Sequence, residues 1–149
     1  MTLTDIISLI KRNHQFILNV QVQIAESGKD YQASRLFLRE YYQVLFDHFA
    51  LQRTSFYQQL IFLSPDDKFK KEIIFLEENA KVVKVRLLSF SDRFSADWGV
   101  KKEPTFRVDF LSFARMMRER VEFENEILLA LLDQISVCLS HSTYTLNLK

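Results

Sequence analysis

The sequence is poor in residues that interrupt, cross-link or polarise a chain. A single cysteine, Cys138, excludes an internal disulfide, and a lone thiol in an apolar helical stripe behaves as a small hydrophobe suited to a reducing interior. Only two glycines, Gly28 and Gly99, and two prolines, Pro65 and Pro104, are present, so no glycine-rich phosphate loop can be assembled. The 20 Lys and Arg nearly cancel the 19 Asp and Glu, leaving a formal charge of +1. Without a dense basic stripe to release counterions, direct binding of DNA or RNA is not expected. Long hydrophobic runs are missing too: a charged residue interrupts every stretch that could cross a bilayer. The opening MTLTDIISLIKRNHQ has no basic region followed by an unbroken apolar block and a small-residue cleavage site. A cytoplasmic protein without a membrane partner is the expectation.

What the chain does have is apolar periodicity. Its 48% hydrophobic content over 149 residues is enough to fill the core of one domain. Helices are expected at about 3–26, 31–63, 66–94 and 105–140. Between them lie Ser27-Gly28-Lys29-Asp30, Ser64-Pro65-Asp66-Asp67 and the stretch from Ser95 to Thr105. Ser64 reads as an N-cap with Pro65 at the first helical position, and Thr105 as the cap of the last helix.

The third segment steps by four and three through Phe69, Ile73, Leu76, Ala80, Val83, Leu87, Phe90 and Phe94, the spacing of knobs-into-holes packing. The fourth runs Phe106, Phe110, Phe113, Met117, Val121, Glu124, Leu128, Leu131, Ile135 and Leu139, broken only by Glu124. In the first, Ile6, Ile10, His14, Ile17, Gln21 and Ile24 share a face. In the second, Leu38, Tyr42, Leu45, Phe49, Phe56, Leu60 and Leu63 line up, flanked by Tyr41, His48 and Ser55. These seams absorb most of the 14 phenylalanines as core. Nothing reads as a strand. Long amphipathic helices joined by short loops predict an all-α protein, an antiparallel up-down-up-down four-helix bundle over 1–140 with a flexible tail at 141–149.

Each segment carries polar side chains at mid-length: His14; Asp47, His48 and Gln52; Asn79; Arg120 and Glu124. In an antiparallel bundle these midpoints share one level, so His14, His48, Gln52, Asn79, Arg120 and Glu124 form a polar layer that is costly to bury without a purpose. Helical bundles of this kind can hold two irons, and hemerythrin-like proteins do so with histidines and carboxylates from all four helices. His14, His48 and Glu124 fall at ligand positions of such a site. Gln52 stands where a carboxylate is wanted, Asn79 and Val83 replace a histidine pair, and Arg120 replaces a histidine with a fixed positive charge. Two imidazoles and one carboxylate are too few for two irons, so no metal or other cofactor is expected. No nucleophile with its base can be assembled either, and catalysis is not expected.

Two stretches resemble a known family. Leu38 to Ile61, LREYYQVLFDHFALQRTSFYQQLI, and Arg120 to Asp133, RVEFENEILLALLD, are similar to the corresponding helices of the Rsd/AlgQ family, anti-sigma regulators of the bacterial housekeeping sigma factor. Gln43, Leu45 and Asp47, then Ser55 and Tyr57, keep that family's spacing. So do Arg120, Glu124, Ile127-Leu128-Leu129 and Leu131-Leu132-Asp133, and the third helix adds Leu76-Glu77 and Asn79. One departure is plain: a Gly-His-Phe triplet in the family is here Gln52-Arg53-Thr54. The resemblance implies a protein without a cofactor that binds the promoter-reading C-terminal domain of the sigma factor and keeps it from RNA polymerase. It puts Asp47 at the contact, where an acid can engage a basic helix-turn-helix module. Gln43, Ala50, Leu51 and Thr54 would surround Asp47 on one helix face.

Overall fold

Three helices begin on a side chain that accepts a backbone N–H left over in the first turn. Thr2 caps α1 (Leu3–Glu26) and exchanges bonds with Asp5 in a capping box. Asp30 caps α2 (Tyr31–Leu51) by accepting from Ala33 N. Asp66 caps α4 (Asp67–Arg93) by accepting from Phe69 N at 2.8 Å. Between α2 and α4 lies the short α3 (Thr54–Phe62), and α5 (Glu103–Asn147) completes the chain. The computed structural model describes residues 2–27, 30–95 and 103–147, with side chains for all of these but 31, 103 and 134–147. No strand occurs among the described residues. Gly28, Lys29, Gly99 and the rest of 96–102 lie outside them, as do the side chains of Ile135, Cys138 and Leu139.

The protein is all-helical, but five helices stand where four were expected. The expected second helix breaks at Gln52 (φ −95°, ψ 61°) and Arg53 (φ −81°, ψ 170°), although neither glycine nor proline is near. Three boundaries also differ. Ser64 is not a cap of α4; its hydroxyl instead donates to Leu60 O and closes the end of α3. Thr105 is the third residue of α5 and not its cap, because Pro104 fits inside a first turn, where no N–H is required. Helix α5 continues to Asn147, into the segment expected to be a tail: neither glycine nor proline follows Thr105, and backbone hydrogen bonding can extend a helix beyond its last apolar period.

Side-chain contacts fix how the helices run. Ser27 meets Ser34, Gln21 meets Tyr41 and His14 meets His48, so α1 and α2 descend past each other. Helix α4 does the same against α5, with Arg93 on Asp109, Phe90 stacked on Phe113 at 5.1 Å and Asn79 on Arg120. Tyr42 packs on Phe90 and Lys84 lies over Phe49, which opposes α2 to α4. Helix α3 packs on α4.

One apolar cluster runs through all five helices, and every described member of the α4 and α5 seams is buried. In α1 the buried edge uses Ile7 while Ile6 is half-buried. In α2 Tyr41 is fully buried and Tyr42 partly so, its hydroxyl donating to Phe94 O. Ser55, expected to continue the Tyr41 and His48 flank, is exposed because the break at Gln52 resets the helical phase.

Candidate functional site

The centre of the molecule is a charged hydrogen-bond network inside the apolar cluster. His14 from α1, His48 from α2, Gln52 from the α2–α3 break, and Arg120 and Glu124 from α5 are all buried, at 0 to 3% exposure. Asn79 of α4 is half-buried. His14, Asn79, Arg120 and Glu124 sit near the middle of their helices, and His48 and Gln52 at the end of α2, so that the six reach one another.

Glu124 is the hub. Its Oε1 accepts from Gln52 Nε2 at 2.5 Å and lies 3.0 Å from His14 Nε2 and 2.9 Å from His48 Nε2, contacts whose donor is set by the tautomer of each ring. Its Oε2 lies 2.8 Å from Arg120 Nε, an ion-pair contact whose N–H direction departs from a hydrogen bond. Burial alone would raise the Glu124 carboxyl, but His48, His14 and Arg120 outweigh it and hold the group well below the usual carboxylate range.

Arg120 spends its other donors on four acceptors: Leu76 O at 3.0 Å, Asn79 Oδ1 at 2.8 Å, Gln52 Oε1 at 2.9 Å and Tyr57 OH at 3.1 Å. Its guanidinium also lies over the Phe49 ring, 5.5 Å from the centroid. Tyr57 OH donates to Gln52 Oε1 at 3.0 Å, and burial pushes the Tyr57 phenol up to about 12 against the opposing charge of Arg120. The charge of Arg120 is thus matched by Glu124 and both terminal nitrogens are bonded, while Nε is held by the ion pair alone.

Gln52 explains the break in α2. Its amide N–H₂ reaches Glu124 while its carbonyl accepts from both Arg120 and Tyr57, bonds that a continuous helix through residue 52 would aim elsewhere. Arg53 Nε then donates to Ala50 O, a carbonyl at the end of α2.

The histidine half is not closed. His14 Nδ1 lies 2.7 Å from Asn125 Oδ1 while Nε2 faces Glu124 Oε1, so both neighbours are acceptors, and a neutral imidazole has one N–H. His48 Nδ1 is buried with no hydrogen-bond partner among the described residues. The His14 and His48 rings are 5.0 Å apart, and one donor atom from each of His14, His48 and Glu124 lies within 4.8 Å of the other two.

Asp47, although at the same level of α2, stands outside this network. It is exposed and accepts from Gln43 Nε2 at 3.1 Å and 3.2 Å. Gln43 and Ala50 are also exposed and Leu51 is half-buried. Thr54 is exposed but opens α3, so the break separates it from the face it was expected to share with Asp47. The break falls within Gln52-Arg53-Thr54, the triplet at which the chain departs from the Rsd/AlgQ pattern. Beside Asp47, Phe46 and Ala50 line a groove of about 270 Å³ with Phe49, Lys84, Leu87 and Leu88.

Sequence reasoning missed four participants. Tyr57 stands one turn beyond Gln52, and Asn125 adjoins Glu124. Gln21 and Tyr41, two helical turns from His14 and His48, form a second buried polar pair at 2.7 Å, with Gln21 also donating to Ala114 O. The seven-residue offsets from the two histidines were the available signal.

No family profile, no curated protein and no solved structure matches the chain. No described helix is long and apolar enough to cross a membrane. The likeness to Rsd/AlgQ therefore rests on the residues quoted for it above.

Proposed function

We propose that this protein is a non-catalytic regulator that acts by protein recognition through the exposed face of α2 around Asp47. The observation that carries the reading is the contrast between two acids. Glu124 is buried and contacted by four side chains, whereas Asp47 is exposed and, among the described residues, held by the neutral amide of Gln43 alone. A carboxylate so placed keeps most of its capacity for a cationic partner. Beside it the apolar groove of Phe46, Ala50 and Leu88 supplies area that an interface core can cover, with polar groups at its edge.

Within this reading the partner is the promoter-reading C-terminal domain of the housekeeping sigma factor, sequestered from RNA polymerase in the cytoplasm, as the resemblance to Rsd/AlgQ implies. The four long helices keep the up-down-up-down order, which the opposed contacts of α1 with α2, α2 with α4 and α4 with α5 support. The hemerythrin-like alternative is supported by the meeting of His14, His48 and Glu124. It is opposed by Gln52, Asn79 and Arg120, whose polar groups are engaged with one another.

The test is a binding titration of the purified protein against the isolated sigma domain. Wild type binds saturably, Asp47→Ala loses at least about tenfold in affinity, and its circular dichroism and melting are unchanged. Equal affinity of the two proteins removes Asp47 from the interface, and no binding by wild type removes the sigma partner.

A further inference from the structure

Three donors from three helices converge on one point. With the ring proton on His14 Nδ1, 2.7 Å from Asn125 Oδ1, the Nε2 lone pair faces Glu124 Oε1 at 3.0 Å, and a positive centre between the two relieves their repulsion. We propose that His14 Nε2, His48 Nε2 and Glu124 Oε1 form a site for one divalent transition-metal ion of the Zn²⁺ or Fe²⁺ class.

Two imidazoles and a carboxylate are the donor set that such ions take, leaving positions for water or a small ligand. Ligands about 2.1 Å from one such ion stand about 3.0–3.4 Å apart; the two histidine nitrogens lie 3.0 Å and 2.9 Å from Glu124 Oε1, and the three donor atoms fall within 4.8 Å of one another, so binding draws the two imidazoles together around the ion. The surroundings are those of an outer shell. Asn125 Oδ1 accepts from His14 Nδ1 and so orients the ring, while Arg120 pairs with Oε2. On binding, the His48 proton moves to Nδ1, which is buried without a hydrogen-bond partner among the described residues, a cost that also lowers affinity. Gln52 Nε2, now on Oε1, competes with the ion, and the Arg120 charge lowers affinity; both argue for a weak or moderate site and against a second ion. This inference is independent of the Asp47 surface, which is exposed and outside the network.

The experiment is titration of chelator-treated protein with Zn²⁺ by calorimetry and with Co²⁺ by visible absorption. One equivalent binds, and the Co²⁺ form shows d–d bands. His14→Gln and His48→Gln, checked for folding by circular dichroism, each weaken binding at least tenfold, while replacement of the chain's third histidine, His141→Ala, changes nothing. X-ray absorption on the wild-type Zn²⁺ form shows two imidazoles among nitrogen and oxygen donors, a readout that needs no variant. The proposal is overturned by the absence of saturable binding, by two ions per chain, by binding that survives His14→Gln, or by binding lost in His141→Ala.

Discussion

Arg120 Nε and Glu124 Oε2 meet at 2.8 Å, one turn apart on α5, with each side chain 1% exposed. Neither charge has water to fall back on, so each depends on the other and on the bonds brought by α1, α2, α3 and α4. A buried pair of this kind adds little over well-packed apolar residues, but removing one member strands the other.

Replacing Arg120 with Met is therefore expected to cost about 3–5 kcal/mol, because Glu124 loses its counter-charge and Leu76 O, Asn79 and Gln52 lose a donor. Arg120→Lys recovers only part of this, since an ammonium group cannot reach both sides of the network as the planar guanidinium does. Urea unfolding measures both; a loss below about 1 kcal/mol for Arg120→Met would show that the charge is not confined.

The depressed Glu124 carboxyl makes stability fall with acid. The unfolded group titrates near 4.5 and the folded group well below it. Its stabilising contribution is complete above 4.5 and is lost as pH falls from there through the folded value. Glu124→Gln is less stable than wild type at neutral pH, and the gap narrows over that acid window. Urea midpoints measured at several pH values for the two proteins check this, and a gap independent of pH would contradict the sign.

Gln52→Leu leaves Tyr57 OH and one Arg120 nitrogen without their shared acceptor. A loss of about 1–3 kcal/mol is expected for this buried deficit. Amide hydrogen exchange around Arg53 to Tyr57 should quicken as the junction of α2 and α3 loosens; unchanged exchange together with unchanged stability would detach Gln52 from the network.

Core position and surface position separate cleanly in two other residues. Leu87→Ala, at a fully buried seam position, costs about 2–5 kcal/mol through lost contact and a cavity. Phe62→Ala, at 87% exposure, stays within about 0.5 kcal/mol despite removing a larger side chain. Equal melting shifts for the two would place the core elsewhere.

Sequence by itself determined the all-helical class and the buried faces of α4 and α5. Apolar spacing of three and four from Phe69 to Phe94 and from Phe106 to Leu131 leaves one face that must be covered, a local property that period alone reveals. It also marked His14, His48, Gln52, Asn79, Arg120 and Glu124 as sharing a level, because the helices turn back on one another at short connections. Only the tertiary structure decided which of them touch. Gln52 ends α2 without glycine or proline because its amide is worth more between Glu124 and Arg120 than in a continuous helix, and such bonds join residues 68 and 72 positions apart. Asp47, one residue from His48, falls outside the network since neighbours in a helix point about 100° apart, so one is buried among charges and the other faces water.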